Sequence, residues 1–121
     1  MKYIFFVVLF FFYSNSFTQN YGLNLAGSIT YSGEEGSDIW GYVDGNGNEY
    51  ALCGNESSFM VADVTNPTNP IMNFSIPHVS CTWRDIKTWD HYAYIITECG
   101  SDGLLIVDLN DMTGSTYVFD N

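Results

Sequence analysis

The densest group of chemically capable side chains is His78-Val79-Ser80-Cys81-Thr82-Trp83-Arg84-Asp85. A hydroxyl or thiol, an imidazole and a carboxylate are the ingredients of an activated nucleophile, and Cys81 with His78 has the makings of a thiolate pair. On an extended chain, however, neighbouring side chains alternate faces, so adjacency in sequence supplies no such geometry. No G-x-S-x-G elbow occurs either. The segment reads first as a connection between structural units, with Arg84 and Asp85 in structural hydrogen bonds or an ion pair. Read as a site, it offers His78, Trp83, Arg84 and Asp85 as ligand contacts, joined by Glu98 from the acidic loop Glu98-Cys99-Gly100-Ser101-Asp102. No residue is assigned a catalytic role.

A second constellation, Asp44-Gly45-Asn46-Gly47-Asn48, sets oxygen-bearing Asp44, Asn46 and Asn48 at alternate positions, as calcium loops do. Glu49 stands where an EF-hand requires its sixth-position glycine, and Asn55 stands where it requires a bidentate glutamate. Asp-Gly and Asn-Gly pairs between strands are the usual chemistry of a tight hairpin, because Gly and Asn tolerate positive φ. Calcium is thus the one cofactor to weigh, and a plain turn is the preferred reading. Trp40, Trp83 and Trp89, with Tyr42 and Tyr50, have the composition of an aromatic platform for carbohydrate. The expectation for them is packing between sheets, where an aromatic buries about 150–250 Å².

Helix signals are nearly absent from the elements that must hold these groups. Short runs rich in Val, Ile, Tyr and Phe are punctuated by Gly, Asn, Asp and Ser, the pattern of strands and turns. Strands are expected at 38–43, 48–53, 58–64 and 71–76. A loop with two prolines, Thr65-Asn66-Pro67-Thr68-Asn69-Pro70, precedes the fourth, since proline cannot donate to a ladder. Four more strands follow in the same order at 83–88, 91–97, 104–109 and 116–119. The halves superpose by eye: Asp38-Ile39 answers Asp85-Ile86, Tyr50-Ala51 answers Tyr92-Ala93, and Phe59 to Val64 answers Leu104 to Leu109. The offsets of 47, 42 and 45 residues approach the ~40–45 of a four-stranded propeller blade. The fold class expected is all-β and β-propeller-like, two four-stranded blade repeats read as a fragment of a longer propeller, with blades at 37–77 and 78–121, the second stopping around its fourth strand, after a lead-in at 19–36. Two blades alone leave apolar sheet faces exposed, so the remaining blades are expected from a longer chain or from oligomerisation.

The strand Leu104-Leu105-Ile106-Val107-Asp108-Leu109 resembles the LVIVD repeat. Ser37 to Tyr42, Glu49 to Gly54, Asp63-Val64-Thr65-Asn66-Pro67, Trp83 to Lys87 and His91 to Ile95 are similar to the opening of choice-of-anchor B family proteins. The resemblance covers roughly residues 37–112. It implies a bacterial protein, secreted or displayed at the cell surface, with a propeller-like domain; it implies no particular activity.

The N-terminus points the same way. Lys2 precedes an apolar run from Tyr3 to Tyr13, and the small residues Ser16 and Thr18 stand before Gln19, so residues 1–18 read as a cleavable signal peptide. Eleven residues are too few to span a bilayer core, which needs about 20, and no second long apolar stretch follows. Cleavage leaves 103 residues in which Arg84 and Lys87 face fourteen acidic residues. That balance is the opposite of a nucleic-acid footprint and disfavours anionic membrane surfaces. Cys53, Cys81 and Cys99 permit one disulfide and leave one thiol over, with the pairing open. Asn55-Glu56-Ser57 and Asn73-Phe74-Ser75 fit the N-glycosylation pattern, relevant in a eukaryotic host. The function expected is an extracellular or surface-displayed binding or scaffolding module for a protein or carbohydrate ligand. The alternative is an extracellular hydrolase working at the channel mouth through His78, Asp85 or Glu98.

Overall fold

The computed structural model describes residues 22–31, 34–100 and 102–120; the expected leader, residues 1–18, lies outside them. The described chain is all-β, with eight strands and no helix. They are β1 (Gly36–Val43), β2 (Glu49–Asn55), β3 (Ser58–Asp63), β4 (Ile71–Pro77), β5 (Arg84–Trp89), β6 (Tyr92–Thr97), β7 (Leu104–Asp108) and β8 (Tyr117–Asp120). Each of the eight expected strands is present within two residues of its expected bounds. They form two open antiparallel sheets in sequence order, β1-β2-β3-β4 and β5-β6-β7-β8. Both are meanders, as short turns between consecutive antiparallel strands dictate.

The turns owe their form to named residues. Asp44 Oδ1 accepts the backbone N–H of Asn46 at 2.8 Å and of Asn48 at 2.9 Å, closing the β1–β2 turn. The β5–β6 hairpin turns on Asp90-His91, flanked by the Trp89–Tyr92 pair, with Asp90 at φ +54°; Asp tolerates this left-handed region better than most residues. The repeat extends to hydrogen bonds outside the ladders. Val64 N donates to Glu49 O in the first sheet, and Leu109 N donates to His91 O in the second. The aspartate ending each third strand also has one role. Asp63 accepts Thr65 N and Asp108 accepts Asn110 N, both at 2.9 Å, so each carboxylate turns the chain out of its strand.

Strand alternation gives every sheet two faces, and cross-strand partners share one. Tyr50, Leu52, Phe59, Val61, Phe74 and Ile76 of the first sheet meet Ile86, Ala93, Ile95, Leu105, Val107 and Leu109 of the second in one core. Leu52, Phe59, Ile86, Ile95 and Leu105 are wholly buried, each contributing on the order of 1.5–3 kcal/mol. The seam is also tied by polar contacts from β1 to the edge of β5: Ser37 Oγ accepts Arg84 N at 2.7 Å, Asp38 Oδ2 accepts Ile86 N at 2.8 Å, and Trp40 Nε1 donates to Thr88 Oγ1 at 3.0 Å.

The two outer faces differ. That of the first sheet carries small or slender residues, Ala51, Cys53, Met60 and Ala62, and the lead-in lies over them, leaving an apolar cleft of about 220 Å³. Gly27 allows this close approach, since a Cβ there would stand 2.4 Å from Pro67 O. The outer face of the second sheet carries Tyr94, Ile96, Leu104, Ile106 and Val118 and has no cover among the described residues; Ile96 is 52% and Val118 54% exposed.

Candidate functional site

The connector between the sheets, residues 78–83, is pinned to the β2–β3 turn. His78 N donates to Ser57 O and Cys81 N to Glu56 O, both at 2.8 Å. A disulfide joins Cys81 to Cys99 in the β6–β7 loop, and Cys53 remains a free thiol. Asp102 of that loop accepts Val79 N at 2.9 Å. The connector is thereby fastened at His78, Val79 and Cys81.

Arg84 is the hub. It is buried at the first position of β5, where its stem crosses the open space beside Gly54. Its Nε donates to Asn55 O at 2.6 Å, its Nη2 to Glu56 O at 2.8 Å and to Val79 O, and its Nη1 faces His78 Nδ1. A guanidinium only donates, so His78 Nδ1 must accept and the neutral ring carries its proton on Nε2. That Nε2 is buried with no hydrogen-bond partner among the described residues, and the ring lies 5.2 Å from that of Phe119. Burial, reinforced by the Arg84 charge, pushes the His78 pKa down, with Asp102 opposing. Burial lowers the Arg84 pKa as well.

This arrangement separates the expected site residues. His78 and Arg84 come together, but as a buried structural joint between the sheets. The thiolate pair considered for Cys81 and His78 is not formed, because Cys81 is spent in the disulfide. That bond also accounts for the two thiols in the Cys81–Glu98–Cys99 group, which otherwise has the makings of a metal site. Trp83, Asp85 and Glu98 are brought together on the surface, lining with Arg84, Ile96 and Thr97 a shallow groove of about 250 Å³. Asp85 pairs with Lys87 rather than Arg84 (Nζ–Oδ1 2.5 Å), and that contact leads the causes depressing its pKa.

The tryptophans depart from the expectation of packing between sheets. Trp83 is 63% and Trp89 77% exposed, and Trp40 is partly exposed beneath the Lys87 ammonium, 4.5 Å from its ring centre. Their hydrophobic type signalled burial, but they stand at strand ends and edges that the core does not cover. Tyr42 and Tyr50 do pack, with ring centres 6.1 Å apart. At the calcium-like loop, Asp44 Oδ2 accepts from Asn48 Nδ2 at 2.8 Å, so Asn48 turns a donor inward. Asp44 is held below the usual carboxylate range chiefly by that bond. The loop has the internal bonding of a turn. Asn55, the first glycosylation candidate, is buried and accepts from Ser57 N, Ser58 N and Ser58 Oγ.

Sequence reasoning missed one organiser. Asp111 gathers Thr113, Ser115 and Thr116 through five hydrogen bonds and shapes the β7–β8 loop. Those contacts, with Ser115 foremost, hold its carboxyl well below the ordinary range. The spacing D-x-T-x-S-T carries the signal, as Asp side chains cap local N–H groups. Among the described residues, no helix is long and apolar enough to cross a membrane. No family model, curated protein or solved structure matches the chain.

Proposed function

We propose that this chain is the exported, β-propeller-type repeat part of an extracellular or surface-displayed recognition protein, similar to the choice-of-anchor B family, that binds a protein or carbohydrate. The observation that carries the binding role is Trp83, 63% exposed beside Glu98 in a groove. A bare aromatic face with an adjoining acceptor suits a sugar ring or an aromatic-rich peptide. The Cys81–Cys99 disulfide supports an oxidising compartment, in line with the reading of residues 1–18 as a signal peptide. Two sheets of one repeat, stacked face to face, support the propeller reading, with further blades supplied by a longer chain or by other copies. The hydrolase alternative has less support, because His78 is buried with Nδ1 engaged by Arg84 and Asp85 is paired with Lys87.

The test is binding of the purified protein to glycan and peptide arrays, with Trp83→Ala as control. Selective binding that Trp83→Ala abolishes, with unchanged thermal unfolding, is the expected result. Binding unaffected by that substitution, or turnover of an ester, peptide or glycoside substrate, would overturn the reading.

A further inference from the structure

The seam between the sheets has a direction. The first sheet contributes the face of Leu52, Phe59 and Val61, and the second the face of Ile86, Ala93, Ile95, Leu105 and Val107. Under the offsets of 42 and 45 residues, Leu52, Phe59 and Val61 correspond to Tyr94, Leu104 and Ile106. The open face of the second sheet is therefore the same face that, in the first sheet, receives a neighbour. Likewise Ala51, Cys53, Met60 and Ala62 correspond to Ala93, Ile95, Leu105 and Val107. The small face of the first sheet is thus the same face that, in the second sheet, does the docking. One chain displays both halves of the seam it already contains.

The polar latch repeats as well. Asp38 on β1 accepts the edge amide of Ile86 on β5. Its counterpart at an offset of 47, Asp85, lies on β5 across from Ile96, with its side chain more than half exposed. The edge of β1 is unpaired within its sheet, and Ile39 and Val43, on the small face, are 66% and 60% exposed. The lead-in that covers the rest of that face is tied by Glu34, which accepts from Ser57 Oγ at 2.7 Å. Residues 22–31 make no hydrogen bond among the described residues, and Leu23 and Leu25 are 79% and 86% exposed.

We infer that the open face of the second sheet is a docking surface for a second copy of this chain, which enters with the small-residue face and β1 edge of its first sheet as its lead-in is displaced. The inference rests on the propeller-type reading above and names the partner. Asp85 then accepts a β1 backbone N–H of the incoming copy, as Asp38 accepts one from β5 within the chain. The contact is head to tail, so it closes into a ring or grows into an open stack. Propellers close with roughly four to eight sheets, so a ring would hold about two to four copies.

Sedimentation of the mature protein up to about 100 μM tests this. Expected are assemblies that Ile106→Glu converts to monomers with unchanged thermal unfolding, a charge on the docking face being intolerable. Asp85→Ala is expected to weaken association about fivefold, the worth of a hydrogen bond of about 1 kcal/mol. Gly27→Val, which cannot fit beneath Pro67, should shift association to lower concentration by lifting the lead-in. In the Ile106→Cys variant, a short bis-maleimide should join the new thiol to Cys53 of another copy. Monomers at every concentration for both the native and Gly27→Val proteins would overturn the inference, as would assemblies indifferent to Ile106→Glu. The intact mass of the protein secreted by its host separates the two readings. A monomer built of one much longer chain of this repeat overturns the second copy and leaves the propeller standing. A monomer of the present length overturns both.

Discussion

Replacing Arg84 with alanine should destabilise the protein more than any other exchange of a polar side chain described above. The guanidinium serves Asn55 O, Glu56 O and Val79 O, and faces His78 Nδ1. Alanine leaves three carbonyls and an imidazole nitrogen without that donor, at the joint where the β2–β3 turn, the connector and β5 meet. Hydrogen bonds from a charged donor contribute about 1.5–3 kcal/mol each. Two effects offset the loss: water can enter beside the turn, and the desolvation cost of a buried cation disappears. The balance is a loss of about 3–5 kcal/mol, a large share of the roughly 5–15 kcal/mol that holds a domain together. At about 4–8 °C per kcal/mol for a domain of this size, the midpoint should fall by roughly 12–40 °C. Lysine can satisfy one of the acceptors and should lose about half as much. Thermal unfolding followed by circular dichroism, with urea titration beside it, measures both. Midpoints for Arg84→Ala and Arg84→Lys within about 5 °C of the native protein would refute the assignment of Arg84 as the joint.

Three further outcomes are expected. The His78 pKa lies below its ordinary 6.5 in the folded protein, so in that window the unfolded chain binds the extra proton. Stability should then hold above about pH 7 and fall as the pH drops through 6.5, by at most about 1.4 kcal/mol per unit; unfolding midpoints from pH 8 to 5 test this, and His78→Gln should flatten the acid limb. Cys99→Ser opens a cross-link between residues 18 apart and should cost about 3 kcal/mol in urea titration under non-reducing conditions. Gly114 sits at φ +72°, where an added Cβ would stand 2.3 Å from Phe74 Cδ2. Gly114→Ala should cost about 2–4 kcal/mol from backbone strain and overpacking, and an unchanged denaturation midpoint would show that the β7–β8 loop does not rest on the first sheet.

Much of the fold was legible in the sequence because strands announce themselves locally. Short runs such as Tyr50 to Cys53 and Tyr92 to Thr97, rich in strand-forming residues and set between Gly, Asn, Asp and Ser, specify strands and hairpins without reference to anything distant. The repeat was legible because two copies of one pattern verify each other, down to the aspartates that end β3 and β7. What each face meets was a different matter. Only the tertiary structure decided that Leu52 and Val61 face a neighbouring sheet while Ala51 and Ala62 lie beneath the lead-in, since alternation defines two faces and does not say which is covered. Only the tertiary structure paired Cys81 with Cys99, because pairing depends on Cα separation, here 5.6 Å, which spacing in sequence does not encode. It also buried His78 and Arg84 in one joint while leaving Trp83 and Glu98 exposed on a groove that Arg84 also lines, although all four fall within 21 residues of one another. A strand places successive side chains on opposite sides, and the fate of each side depends on what another segment, dozens of residues away, brings to it.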